Sequence, residues 1–213
     1  MPARSVVVVD YGAGNLFSVA RGLRAANLEP DFVSDPDGVR RAGALLLPGV
    51  GAFGKGMEQM RSRGLAEAVK DFVGTGKPVL GVCVGMQFLF TQSNEFGHHA
   101  GLNLIPGQVV PLVAEARWPV PNVGWCTTEF VRDPSGTPFS LGGTAGAKQM
   151  DFYFAHSFRC VPDDPADTVA RTLYGSAWIT AIASRDNVHC CQFHPEISAE
   201  AGLGIYRWFQ GVT

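Results

Sequence analysis

The 213-residue sequence has no block of basic residues, no long apolar run and few cysteines. Its 17 Lys and Arg residues nearly balance 19 Asp and Glu residues, for a net charge of −2, which argues against nucleic acid as the main partner. No apolar run approaches about 18 residues, so no membrane span is predicted. The opening residues, MPARSVVVVDYGAGN, enter a strand-like segment without the cleavage region of a signal peptide, so no export signal is predicted.

The cysteines are too few for a dense disulfide framework. Their odd number and one adjacent pair favour a reducing, cytoplasmic setting. Hydrophobic residues make up 46% of the chain and charged residues 17%, a balance that supports a sizeable core and argues against disorder. The five cysteines are Cys83, Cys126, Cys160, Cys190 and Cys191.

The first half of the sequence alternates strand and helix signals. Continuous apolar runs, as in SVVVVD, indicate strands that are buried on both faces, which is typical of a parallel sheet. Segments with helical spacing of apolar residues follow each run. This order predicts a doubly wound α/β sheet with helices on both faces. The strand-like segments are SVVVVD, ALLLPGVGAFG and PVLGVC, and the helical ones LFSVARGLRAA, GLAEAVKDFVGTGK and VGMQFLFTQ.

The second half consists of short strands with turn signals, which predict an antiparallel section added to the sheet. Residues Asp133 to Gly146 are rich in turn formers and are expected to form an exposed loop. The chain closes with a predicted helix, SAEAGLGIYRWFQ, with Ser198 as its N-cap. With no interdomain linker in evidence, residues 1–213 are interpreted as one α/β domain.

The segment VLGVCVGMQFL places Cys83 between Gly81 and Gly85. A strand, then G-x-C-x-G, then a helix is the cysteine version of a nucleophile elbow. The small flanking residues let the backbone turn sharply and leave room for a substrate. A helix N-terminus beneath the sulfur favours the thiolate. A core cysteine on a tight turn explains this motif alone equally well.

A cysteine nucleophile needs a base, and His194 is the best candidate among five histidines. It ends a predicted strand in CCQFHPEIS, with Glu196 two positions on to orient its ring. Taken alone, the pair is equally well explained as exposed polar residues at a strand end. With Cys83 it supplies a Cys–His–Glu set. A zinc site in HCCQFH is not expected, because adjacent strand residues face opposite ways.

The glycine loop in LLLPGVGAFG can supply donors for an oxyanion. Backbone N–H groups from Gly49 to Gly51, through Val50, can turn towards a developing negative charge, and the amide of Val84 is a further candidate. A glycine turn without a ligand is the alternative. No G-K-[ST] follows, and the spacing of Gly49, Gly51 and Gly54 matches a dinucleotide fingerprint only weakly. No cofactor is predicted.

Two distant motifs, GVCVGMQ and QFHPE, resemble those of the class I (triad) glutamine amidotransferases. The further segments VVVVDYGAGNLFSV, LLLPGVGAFGKGM, VGW, YFAHSF and QFHPEIS resemble, in collinear order, the glutaminase subunits of imidazole glycerol phosphate synthase. The resemblance runs from Val6 to Phe209. It implies the amidotransferase fold, a mostly parallel central sheet flanked by helices, with the antiparallel strands added in the second half.

The resemblance also implies a reaction and a partner. Cys83 would attack the side-chain amide of glutamine, His194 would carry the proton, and Glu196 would orient it. The released ammonia would pass to a (β/α)8-barrel cyclase that makes imidazole glycerol phosphate and AICAR. By the family pattern, the glutamine would be held by Gly51, Gln87, Glu95, Ser157 and Phe158. The surface facing the cyclase would include Tyr11, Asn15, Asn122, Val123, Trp125 and Ile197.

Three positions depart from the pattern of these subunits. Ile197 stands where Lys is usual, Asn122 where His is usual, and Cys126 where Asn is usual. Because all three are expected near the partner, a related synthase, such as one that modifies surface sugars, is an alternative recipient of the ammonia. A non-catalytic regulatory subunit is a further alternative, which the intact triad disfavours. A cysteine hydrolase of another substrate is disfavoured by Gln87 and PGVG.

Overall fold

The computed structural model describes residues 4–132 and 148–212. The strands are β1 (Arg4–Val9), β2 (Leu28–Val33), β3 (Leu45–Leu47), β4 (Val79–Val82), β5 (Phe90–Ser93), β6 (His99–Ala100), β7 (Ile105–Pro111), β8 (Asn122–Phe130), β9 (Gln149–His156), β10 (Phe158–Pro162), β11 (Thr168–Tyr174), β12 (Ala177–Arg185) and β13 (Val188–Cys191). The α-helices are α1 (Leu16–Ala25), α2 (Pro36–Arg41), α3 (Phe53–Ser62), α4 (Leu65–Gly74), α5 (Val84–Phe88) and α6 (Ala199–Val212).

A nine-stranded mixed sheet forms the centre of the molecule, in the order β2-β1-β3-β4-β13-β12-β11-β8-β9. In this order, neighbouring strands from β2 as far as β13 pair in parallel. Neighbouring strands from β13 as far as β9 pair antiparallel. This arrangement confirms the prediction of an α/β sheet with an antiparallel section from the second half. A smaller four-stranded sheet, β10-β7-β5-β6, lies beside it.

The order of the first strands places helices on both faces of the sheet. The chain steps from β1 to β2 in one direction and from β2 to β3 in the other. Right-handed crossovers therefore put α1 on one face and α2 on the opposite face. In β1, Val6, Val8 and Val9 are fully buried, and each contributes about 1.5–3 kcal/mol through burial.

Strand β13 joins the two halves of the sheet and fixes where the site forms. It pairs with β4 on one side and with β12 on the other. At its end, the amide of Cys83 donates to the carbonyl of Cys191 over 2.8 Å. The segment that leads to His194 is therefore held beside the Cys83 turn.

The prediction of a helix over VGMQFLFTQ is wrong in its second half. Helix α5 ends at Phe88, and residues from Phe90 onward form β5. Strand β5 pairs in parallel with β7 and antiparallel with β6. These long-range backbone bonds outweigh the helical pattern of the local sequence.

Ser198 directly precedes α6, as predicted, but its hydroxyl connects neighbouring segments. It donates to the carbonyl of His194 over 2.7 Å and accepts from the amide of Tyr153 over 2.9 Å. It thereby fixes the turn after β13 against β9. The predicted loop from Asp133 to Gly146 lies outside the described residues. Within residues 4–132 and 148–212, no helix is long and apolar enough to cross a membrane.

Two buried histidines make stability depend on pH. Burial lowers the pKa of His189 to about 4 from an ordinary value of 6.5. Burial also lowers the pKa of His156 to about 4; its bond to the Phe158 carbonyl opposes this, and the charge of His194 adds to it. A depressed pKa means that the folded state binds fewer protons than the unfolded state. Each histidine therefore contributes stability fully above pH 6.5 and loses it as the pH falls towards 4.

We expect the free energy of unfolding to fall by about 3 kcal/mol for each buried histidine over this acid range. Urea denaturation at pH 7.5, 6.5, 5.5 and 4.5 measures the slope. His189→Gln should remove about half of the histidine contribution to that slope. His98→Gln, at an exposed position, is the matched control and should leave it unchanged. An equal slope in the His189→Gln variant and the parent would contradict this prediction.

Candidate active site

Cys83 occupies a strained turn between β4 and α5. Its backbone lies at φ 56° and ψ −114°, a region that costs a non-glycine residue about 1–3 kcal/mol. The predicted strand–turn–helix is thus present. A Cβ on Gly85 would lie 1.9 Å from the Leu47 carbonyl oxygen, and one on Gly81 would lie 2.6 Å from Leu89 Cδ1. The flanking glycines therefore permit close packing of the turn, and the space beside them is filled by protein.

His194 and Glu196 form a buried pair on the turn after β13. His194 Nδ1 lies 2.9 Å from Glu196 Oε1, and the side chains are only 12% and 6% exposed. This burial excludes the interpretation as exposed polar residues at a strand end. Burial lowers the pKa of His194, but its interactions with Cys83 and with Glu196 outweigh that effect and raise it well above the ordinary value. The arrangement favours an imidazolium beside the sulfur.

Two further groups contact the sulfur of Cys83. The thiol lies 3.9 Å from the Ala155 carbonyl oxygen, and Gln192 Nε2 also lies 3.9 Å from the sulfur. Sequence reasoning missed Gln192. A polar residue inside the otherwise apolar CCQF was the available signal, because a fully buried amide must have partners. Tyr206, which donates to Glu196 Oε2 over 3.4 Å, was missed because α6 is far from the motif in sequence.

A cleft of about 390 Å³ opens above the sulfur and collects most of the predicted substrate contacts. A smaller cleft of about 160 Å³ adjoins it and shares Val50 and His194 with it. Gly49 and Glu196 line the smaller cleft, together with Asn15 and Ile197. The larger cleft is lined, among others, by Val50, Gly51, Cys83, Val84, Gln87, Glu95, Ser157, Phe158 and His194.

Buried polar side chains hold the walls of the larger cleft. Gln87 donates to Gln192 Oε1 over 3.2 Å and to the Phe158 carbonyl over 3.4 Å. Glu95 accepts a hydrogen bond from the amide of Phe53 at the start of α3. The carboxylate of Glu95 therefore fixes the end of the glycine loop and also supplies a negative charge to the cleft. Such a charge can bind an ammonium group.

The glycine loop packs tightly against the Cys83 turn. A Cβ on Gly49 would lie 2.3 Å from the Gly85 nitrogen. Gly51 has φ +85°, a conformation that favours glycine. The loop from Gly49 to Gly51 thus lies against the turn that carries Cys83, and Val50, Gly51 and Val84 line the larger cleft together with Cys83.

The six residues predicted to face a partner separate into two groups. Tyr11 is fully buried, with its ring against Phe88, and Asn122 is 2% exposed. Neither can present its side chain to a docked protein, so the prediction is corrected for these two. Tyr11 comes soon after the buried strand β1, whereas Asn122 follows exposed residues and is buried beside His156 of β9. The exposed four are Asn15, Val123, Trp125 and Ile197.

The remaining thiols belong to the core. Cys160, Cys190 and Cys191 are fully buried, and all five cysteines, each within the described ranges, are unpaired. Cys190 and Cys191 contact the carbonyls of Ala183 and Phe193. Among residues 4–132 and 148–212, no group of three His, Cys, Asp or Glu side chains is placed to hold a metal ion.

The fold, the Cys83 turn and the buried His–Glu pair define a glutamine amidotransferase of class I. A model of this family matches residues 7–206, and the chain belongs to it. It is therefore an enzyme of the amidotransferase class.

Relatives and solved structures refine this assignment. The chain is 40% identical over 210 residues to imidazole glycerol phosphate synthase subunit HisH 1 of Legionella pneumophila (strain Paris), covering 96% of this chain and 98% of the relative. It is 40% identical over 209 residues to the HisH subunit of Syntrophotalea carbinolica, with the same coverage. The structure of PurLQS from Thermotoga maritima shares the fold, with a TM-score of 0.77, 22% identity and 98% of each chain covered.

Proposed function

We propose that the chain hydrolyses glutamine to glutamate and ammonia. The Cys83 thiolate attacks the side-chain carbonyl of glutamine, and the tetrahedral oxyanion accepts hydrogen bonds from amides of the Gly49–Gly51 loop and Val84. His194 gives its proton to the leaving nitrogen, and the C–N bond breaks. Ammonia and a γ-glutamyl thioester result. Water, deprotonated by His194, cleaves the thioester and restores the thiolate–imidazolium pair.

The observation that carries this proposal is the buried pair of His194 and Glu196 beside Cys83. A carboxylate that is nearly inaccessible to water keeps the imidazole oriented and stabilises its protonated form. The cleft is also suited to an amino acid. Glu95 offers a charge for the α-ammonium group, and Ser157 and Phe158 line the same cleft.

We infer that ammonia leaves through the smaller cleft towards a docked synthase. The two clefts share Val50 and His194 in their walls, so the smaller cleft is the neighbouring space into which a product released at the sulfur would pass. Two exposed apolar residues, Val50 and Ile197, line this outlet, and Val123 lines the larger cleft. Exposed apolar residues that lie together are typical of a protein interface. We assign to the docking patch the exposed residues Phe17, Val50, Val123, Trp125 and Ile197.

The proposed partner is a (β/α)8-barrel cyclase that uses the ammonia to make imidazole glycerol phosphate and AICAR. Near-full-length relatives at 40% identity, named as subunits of that synthase, support it. Of the three departures from the family pattern, Asn122 is buried and Cys126 half-buried. Ile197, 42% exposed beside the outlet, is the one observation that favours a different synthase. The unpaired thiols agree with a cytoplasmic location for the reaction.

Trp125→Glu is expected to weaken partner binding by about 100-fold, because an exposed aromatic residue of the proposed docking patch is replaced by a charge. Trp125 is 55% exposed and packs edge-on against Tyr153, so its removal changes the surface more than the core. Titration of the chain with its co-purified partner, measured by calorimetry, gives the affinity. Glutamate release with and without partner, measured in parallel, tests whether docking raises glutaminase activity.

Phe32→Glu is the matched control. Phe32 is 39% exposed on β2, at the opposite edge of the nine-stranded sheet, and its replacement should leave partner affinity unchanged. Equal losses in both variants would show that the patch is not the docking surface. A co-purified protein without cyclase activity would instead refute the imidazole glycerol phosphate assignment and favour another synthase.

A further inference from the structure

A chain of hydrogen bonds runs from β8 to the wall of the larger cleft. Cys126 Sγ lies 3.6 Å from Asn122 Oδ1, and Asn122 Nδ2 lies 3.1 Å from His156 Nε2. His156 Nδ1 lies 2.8 Å from the Phe158 carbonyl oxygen. Two of its members, Asn122 and Cys126, are departures from the family pattern that the proposed reaction leaves without a role.

The chemistry at each end fixes the direction of these bonds. A carbonyl oxygen can only accept, so Nδ1 of His156 must carry the proton that is shared with Phe158. The other ring nitrogen, Nε2, then accepts from the amide of Asn122. Burial raises the pKa of Cys126, which keeps its thiol protonated as a donor to Asn122 Oδ1. All three donors point towards the cleft.

The series of hydrogen bonds ends at residues that line the larger cleft. Phe158 and Ser157 line the cleft, and they follow His156 directly where β9 turns into β10. The Phe158 carbonyl also accepts from Gln87. The ring of His156 therefore holds a turn that lines the cleft proposed to bind glutamine.

The surroundings of His156 keep it neutral. It is 5% exposed and packs beside the ring of Phe154. The charged group that approaches it is His194, on the turn after β13, and Cys83 contacts the neighbouring Ala155 carbonyl from the β4 side. On the β8 side it faces the neutral amide of Asn122. A second imidazolium here would oppose the one that His194 needs.

We propose that His156, held by Asn122 and Cys126 in its neutral Nδ1–H form, is a positioning residue for the glutamine-binding turn at Ser157 and Phe158. The assignment rests on the proposed glutaminase activity. It gives Asn122 and Cys126 a role within the protein itself, in place of contact with a partner. The bond that matters is the one from Nδ1–H to the Phe158 carbonyl.

Two variants at His156 separate its two bonds. His156→Asn keeps a nitrogen donor attached to Cγ, where Nδ1 stands, and His156→Gln moves the amide outward to the place of Nε2. In the complex with the co-purified partner, we expect His156→Gln to raise KM for glutamine roughly tenfold with a smaller change in kcat. His156→Asn should stay within about threefold of the parent KM. Equal KM values, or a higher KM for His156→Asn, would overturn the proposal.

Side-chain nitrogen NMR of the parent chain provides a test that does not depend on the variants folding. We expect His156 at pH 7 to show a protonated Nδ1 and a bare Nε2. In Asn122→Asp the ring should instead be protonated on both nitrogens, because a carboxylate replaces the donating amide. A protonated Nε2 in the parent at pH 7 would overturn the proposal. If the parent complex released no glutamate, the glutaminase assignment would fail, whereas the NMR result would still decide the state of His156.

Discussion

Replacement of Cys83 by alanine is expected to lower the rate of glutamine hydrolysis by about 10⁴-fold or more, because the group that forms the thioester is removed. Synthesis from added ammonium by the complex with its partner should be unchanged, since ammonium bypasses the glutaminase site. Glutamate release and product formation from each nitrogen source are measured on one preparation. This variant separates the nucleophile from the docking role of the chain.

Cys160→Ala is the matched control for Cys83→Ala. Cys160 is fully buried on β10 and does not line either cleft, so glutamine turnover should be retained. Loss of both glutamine-dependent and ammonium-dependent synthesis in Cys83→Ala would contradict the proposed division of labour. A glutamine-analogue electrophile that leaves Cys83 unlabelled in the presence of partner would favour the regulatory alternative.

Replacement of Glu196 by glutamine should lower kcat by about 10³- to 10⁴-fold, with KM changed far less. The amide has almost the same shape, but it lacks the negative charge that stabilises the imidazolium of His194. The interaction with Glu196 raises the pKa of His194, so the variant should titrate this histidine at a lower pH. Steady-state kinetics and NMR titration of His194 measure the two effects.

Tyr206→Phe tests whether the charge or the packing of Glu196 matters. It removes the 3.4 Å bond to the second carboxylate oxygen and leaves the charge in place. We expect a loss of no more than about tenfold in kcat. A loss in Tyr206→Phe as large as that in Glu196→Gln would indicate that orientation by α6, rather than the carboxylate charge, sustains the reaction.

The parts of the site that the sequence predicts are those that depend on local geometry. Gly81, Cys83 and Gly85 specify a turn within five residues, and His194 and Glu196 share another. That these two turns lie side by side could be predicted only from the family resemblance, because the strands that bring them together are distant in sequence. Gln192 shows the same limit, since its partner Cys83 lies 109 residues away.

The errors arise where tertiary contacts decide. Phe90 continues a helical pattern, yet strand pairing with β7 draws it into a sheet. Tyr11 and Asn122 were assigned to a surface by their position in motifs, and packing buries both. A motif records which residues recur together, whereas burial depends on elements that come later in the chain.

The position of β13 has a consequence for how the enzyme is made. It is the last of the described strands along the chain, yet it lies at the centre of the sheet, between β4 and β12. Its pairing with β4 joins Val188 to Val79. Closing so long a stretch of chain costs conformational entropy, so this pairing forms late in folding. Until β13 has been made, the edge of β4 that it covers stays unpaired, and such edges are prone to aggregation. Cys83 therefore acquires its base only after β13 and the turn that follows it have been made, and a chain terminated before β13 lacks His194 and Glu196 while it leaves this edge of β4 unpaired.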